Sequence, residues 1–142
     1  MGIDLGVKTG LAFYARDGRL LAVLSRNLGH RGRLRQAARG LLAPFDRLEW
    51  IVAEGDPNLA KAWFSARPQA ANRLLSAEIW RPAFFIPRQR SSGARAKSEA
   101  EKLARDVMRD AGLPVPARLT DDAAEAVLIG LWAVTDLGWR EG

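Results

Sequence analysis

The chain opens Met1-Gly-Ile-Asp4-Leu-Gly6-Val-Lys-Thr-Gly10, and Asp4 is the residue at odds with its surroundings. A carboxylate between Ile3 and Leu5 in an apolar strand start is costly to bury unless a cation meets it. Asp4 therefore lies at an exposed strand end or holds a metal ion. Gly6 and Gly10, with Lys8 and Thr9 between them, allow a tight turn into a second apolar run, Leu11 to Ala15. Arg16-Asp-Gly18 is another turn signal before Leu20 to Leu24. The opening thus predicts three antiparallel strands in a meander, with an acid on the first.

Working outward, Asn27 to Gly32 reads as loop. Arg33 to Leu42 has helical spacing, with Leu34, Ala37, Ala38 and Leu41 on one side, and Pro44 stops it. Trp50-Ile-Val-Ala53 is a short apolar run of the kind found in buried strands, and it delivers a second acid, Glu54, at its exit. Asn58 is expected to cap a helix through about Ser65. After Pro68, the spacing of Ala70, Leu74, Ala77 and Ile79 predicts a helix over Gln69 to Trp80, then a strand over Pro82 to Ile86. Arg88 to Lys97 is rich in cations and small residues, without hydrophobic periodicity, and reads as a loop. A mixed-charge helix is expected from Ser98 to Ala111, and Thr120 is placed to cap a last helix, Asp121 to Asp136.

Composition bounds the function. The chain has 142 residues, 48% of them hydrophobic, enough for one α/β domain spanning 1–142 with a real core. Its net charge is +6, and Arg outnumbers Lys heavily among the 22 basic residues, which favours forked contacts to phosphate or carboxylate. With no Cys and a single His, His30 in a Gly/Arg loop, thiolate and His-rich zinc sites are excluded. No apolar run is long enough to span a membrane and Met1-Gly2-Ile3-Asp4 is no signal peptide, so the expected location is cytoplasmic.

The last helix carries the sharpest signal. Ala123 to Val134 is apolar nearly all round, yet its first turn holds Asp121, Asp122 and Glu125. Acids there compensate the helix dipole, which is sufficient reason for Asp121. Asp122 and Glu125, three apart, also share a face. If strand one, the strand ending at Glu54 and the last helix are neighbours, Asp4, Glu54, Asp122 and Glu125 converge. Hard divalent ions take oxygen ligands, and two-metal phosphoryl chemistry needs about four carboxylates holding ions ~4 Å apart. Lacking His and Cys, such a site suits two ions of Mg²⁺, with Mn²⁺ able to substitute.

Gly2-Ile-Asp4-Leu-Gly6, Ala53-Glu54 and Asp122-Ala-Ala-Glu125-Ala126, in this order and spacing, resemble the RuvC family of Holliday-junction resolvases, over essentially the whole chain. The resemblance implies a ribonuclease H-like fold, with a mixed five-stranded sheet of three antiparallel strands followed by parallel ones, flanked by helices. It also implies a homodimeric, metal-dependent endonuclease that cuts two strands of four-way junction DNA symmetrically. Asp4, Glu54, Asp122 and Glu125 match the family's acidic tetrad, and Lys97 matches a basic residue near the scissile phosphate. Glu125 stands where the family usually has Asp, and Leu5 where Pro is frequent.

By the same resemblance, Trp63 or Phe64 would stack on an unpaired base at the junction centre, with helix-core packing as the alternative. Arg88, Arg90, Ser91, Ser92, Arg95 and Lys97 would clamp phosphates around the crossover, or else form a solvated basic loop. Trp132 and Trp139 suit core or dimer contacts, and Asp56, beside Pro57, suits a turn. Two other functions fit parts of the pattern. One is a YqgF-type RNA-processing nuclease, disfavoured by Glu54 and by the absence of an Asp-Glu-Arg triplet after the fifth strand. The other is a catalytically weak module that binds junctions or other nucleic acid.

Overall fold

The computed structural model describes residues 1–140. Strands β1 (Gly2–Asp4), β2 (Lys8–Tyr14) and β3 (Leu20–Asn27) form the expected meander. Strand β4 (Trp50–Glu54) lies parallel to β1 on its other side, and β5 (Ala71–Leu75) lies parallel to β4, giving the order β3-β2-β1-β4-β5. Met1 extends the short first ladder by one step, its carbonyl accepting the Val52 N–H at 2.9 Å.

Side chains alternate across a strand, so each strand feeds two cores. Ile3, Leu11, Phe13, Ile51 and Ala53 point to one face, where helices α1 (Leu34–Leu42) and α2 (Pro57–Ala66) cover them with Leu34, Ala38 and Trp63. Ala12, Val52 and Leu75 point to the other, beneath α3 (Ala77–Phe84), α4 (Gly93–Asp110) and α5 (Asp121–Asp136). Helix α5 is buried along nearly its whole length, as its all-round apolar body requires.

Two glycines let α5 lie directly on the sheet. A Cβ on Gly10 would stand 1.9 Å from the Asp122 carbonyl oxygen, and one on Gly2 would stand 2.5 Å from the Gly130 amide nitrogen. Gly10 lies within β2. Its missing side chain serves helix approach, not the turn it suggests in sequence. Between these two contacts, the Tyr14 hydroxyl donates to the Val127 carbonyl of α5 and ties the helix to β2.

The middle of the chain departs from expectation. Instead of a helix over Gln69 to Trp80 and a strand over Pro82 to Ile86, β5 forms at Ala71–Leu75 and α3 runs through Pro82. Ala71 to Leu74 are exposed and only Leu75 is buried, so this edge strand is held by its ladder to β4 and carries no apolar alternation. Spacing that looks helical there belongs to two elements, and pairing overrides it. Pro82 removes one backbone hydrogen bond from α3, but the helix is anchored by Trp80, which is completely buried.

Smaller corrections follow the same logic. Helix α2 is capped by Asp56, whose Oδ1 accepts the Asn58 N–H at 2.8 Å, and not by Asn58. The basic stretch Arg88 to Lys97 is ordered as a 3-10 turn, Pro87–Arg90, followed by α4, which begins at Gly93 with Ser92 accepting the Arg95 N–H at 3.1 Å. Thr120 occupies the N-cap position of α5 without a capping hydrogen bond. Its buried Oγ1 has no partner among the described residues. None of the described helices is long and apolar enough to cross a membrane.

Candidate metal centre

The site is built where β1 and β4 end side by side. Asp4 and Glu54 are register partners on adjacent parallel strands, so their side chains emerge on the same face. That is the face covered by α5, whose first turns bring Glu125 over them. One carboxylate oxygen from each of Asp4, Glu54 and Glu125 lies within 4.8 Å of the others. Asp4 and Glu54 are half-buried and Glu125 is 8% exposed.

Crowding shows in the protonation of the group. Burial, then the charges of Glu125 and Glu54, and a hydrogen bond with Glu125, push the Asp4 carboxyl up to about 9. Burial and the Glu125 charge also raise Glu54, opposed by hydrogen bonding from Trp80 and by the Arg81 charge. Burial and mutual repulsion thus disfavour the ionised forms of Asp4 and Glu54. Their donor set is all oxygen, with no His or Cys, and so fits a hard divalent ion such as Mg²⁺ or Mn²⁺.

Asp122, the fourth expected ligand, is close enough to raise Asp4 further but stands outside the trio. Its Oδ2 accepts the Ser25 hydroxyl of β3 at 2.6 Å, and the residue is 8% exposed. Ser25 thus orients Asp122 as two neighbours on α3 orient the glutamates. The Trp80 indole N–H donates to Glu54 Oε1 at 3.3 Å, and the Arg81 guanidinium donates to Glu125 Oε1 at 2.9 Å while lying 5.4 Å from the Trp80 ring centroid. Sequence reading missed Ser25, Trp80 and Arg81. The last two fell at the expected border of a helix and a strand, where nothing marks an inward face.

An open cavity of about 740 Å³ leads to the acids, with Asp4, Asp122 and Glu125 in its wall and Lys8, Lys97 and Arg118 at its rim. Lys97, from the first turns of α4, is exposed and pairs with Asp121 at 3.5 Å. Among the remaining predicted contacts, Arg88, Arg90, Ser91, Ser92 and Arg95 are exposed, Arg90 donating to the Phe85 carbonyl and Arg95 pairing with Glu99 at 3.7 Å. Trp63 has no exposed surface and packs beneath α1, so it offers no face to a base; Phe64 is half-buried beside it. Trp132 and Trp139 pack half-buried against the α5 core, Trp132 beneath the Arg73 guanidinium at 4.8 Å.

No family model matches the sequence, and no curated protein matches it. The fold is similar to the Thermus thermophilus RuvC structure, with a TM-score of 0.61 and 20% identity over 95% of this chain and 92% of that one. With its three antiparallel strands, two parallel ones and final helix over the sheet, the chain has the RuvC-like form of the ribonuclease H-like fold.

Proposed function

We propose that the chain is a divalent-metal-dependent DNA endonuclease, selective for branched DNA, that resolves four-way junctions by paired symmetric nicks as a homodimer. The convergence of Asp4, Glu54 and Glu125 within 4.8 Å carries this reading, since carboxylates so crowded are stable in ionised form only around a cation. Asp4 would be one of the residues that hold the ions. Glu54 and Glu125 would supply the flanking oxygens, and Asp122 would join from α5. The chemistry such ions supply when bound is activation of a water and neutralisation of charge on the leaving 3′ oxygen.

The protein's own groups have separate tasks. Trp80 and Arg81 hold Oε1 of Glu54 and Oε1 of Glu125, which fixes how the two glutamates stand beside Asp4. Lys97 and Lys8, at the rim, would meet the scissile phosphate and hold it for in-line attack. Arg88, Arg90, Arg95 and the Ser91–Ser92 turn would grip the strand passing the pocket.

The test is cleavage of a synthetic four-way junction in Mg²⁺ or Mn²⁺ beside a linear duplex of the same sequence. Selective junction cutting is expected, abolished by EDTA and by Asp4→Asn while junction binding persists, because a neutral amide holds divalent ions poorly and leaves the basic surface intact. Undiminished turnover in Asp4→Asn would remove the metal assignment. Equal cutting of the linear duplex would remove the junction assignment.

A further inference from the structure

Between Gly18 and Phe45 the chain contains Arg19, Arg26, Arg31, Arg33, Arg35 and Arg39 and no acidic residue. The last five are all exposed, and of them Arg31 alone has a carboxylate partner among the described residues, Asp56 at 3.0 Å. This is an arrangement that does nothing for the helix it decorates. Cations one turn apart repel, and in the first turn of α1, which has no acid, they face the positive end of the helix dipole.

Their position gives them another use. Asn27, at the end of β3, pairs with Lys8 on the cavity rim, and Ser25, two residues earlier, holds Asp122. Arg26 therefore stands at the same end of the sheet as the acid pocket, on the face opposite Ser25. The chain then crosses the lip, Leu28 donating to the Val7 carbonyl at 2.9 Å and Arg31 reaching Asp56, two residues past Glu54. From there α1 leads away from the site, with Arg35 and Arg39 on one face and ~6 Å apart along the axis.

We propose that Arg33, Arg35 and Arg39, entered past Arg26 and Arg31, form a track for the sugar–phosphate backbone of a DNA arm leaving the pocket. The track lies on the face of the sheet opposite the α4 contacts, so a substrate gripped by both must leave the pocket in more than one direction. This rests on the nuclease reading above and deepens it, because a branched substrate meets that condition and a straight duplex does not.

The experiment measures binding of a synthetic four-way junction in EDTA, where nothing is cut, as a function of KCl concentration. Arg33→Ala/Arg35→Ala/Arg39→Ala removes three phosphate contacts. The slope of log K against log salt should become shallower by about 2.7, so affinity would change ~40-fold less between 50 and 200 mM than in the wild type. The comparison variant is Arg16→Ala/Arg19→Ala/Arg47→Ala, which has the same net charge but lies at the opposite end of the sheet, where all three residues are exposed. Its slope should stay near wild type. Equal behaviour of the two triples, or a wild-type slope in the α1 triple of unchanged melting temperature, overturns the track. If the wild type cuts junctions in Mn²⁺ but the α1 triple keeps its slope, the track alone falls; if the slope changes but the wild type cuts nothing, the nuclease reading alone falls.

Discussion

Replacing Arg81 by Ala should destabilise the metal-free protein far more than the metal-loaded one. The guanidinium donates to Glu125 at 2.9 Å, and its removal leaves Asp4, Glu54 and Glu125 facing one another without their nearest cation. Removing one partner of a fully buried pair costs about 3–5 kcal/mol. Here the Arg81 side chain is 28% exposed and that of Glu125 11%, so water compensates in part and ~2 kcal/mol is the expected loss. For a chain of this size that corresponds to roughly 8 °C in Tm. The assay is thermal melting followed by circular dichroism at pH 8, in EDTA and in saturating Mn²⁺, for wild type, Arg81→Ala and Arg81→Lys. Mn²⁺ should raise the Tm of Arg81→Ala more than that of wild type, since a bound ion supplies the missing positive charge, and Arg81→Lys should fall between. At pH 4 in EDTA the difference should shrink as protons replace the cation. An Arg81→Ala protein that melts with wild type in EDTA, or gains no more from Mn²⁺, would refute the reasoning.

Three further outcomes follow from the geometry. Asp4 keeps its proton up to pH about 9 when folded but loses it near pH 4 in the unfolded chain, so between those values the folded state binds more protons and stability falls as pH rises. Urea midpoints in EDTA should accordingly be lower at pH 9 than at pH 5, and Asp4→Asn should flatten the trend; a midpoint that climbs with pH contradicts it. Gly10→Ala should cost ~3 kcal/mol and abolish cutting, because the new Cβ meets the Asp122 carbonyl at 1.9 Å and lifts the first turn of α5. Gly40→Ala, in open space on α1, should instead stabilise by ~0.5–1 kcal/mol, and denaturant titration of the two variants tests the contrast. Trp80→Phe keeps most of the buried volume but removes the donor to Glu54, so calorimetry should show Mn²⁺ binding weakened ~10-fold. Unaltered affinity would mean that Glu54 needs no such support.

Much of the fold was legible because the relevant patterns are short in range. Asp4, Glu54 and the acids of α5 stand out as charges at the ends of apolar segments, and the boundaries expected for α5, Asp121 to Asp136, are those observed. The edge strand and α3 were not legible. Ala71–Leu75 has one buried residue and is a strand only because β4 lies beside it. The helical N-terminal part of α4 was likewise hidden by a run of cations and small residues, whose order comes from the Ser92 cap and from Ala96 and Ala100 packing inward.

By itself, the order of residues determined which acids were available, which strand faces were apolar, and that the oxygen-only donor set suited a hard cation. Tertiary structure alone decided that three of the four acids meet while Asp122 turns to Ser25, and that Trp80 and Arg81 hold the glutamates. It also withdrew Trp63 from any surface role. The physical reason is that burial preference and strand period are properties of a residue and its near neighbours. The partner of a polar side chain depends on packing between elements distant in sequence, as Arg81 and Glu125, 44 residues apart, illustrate.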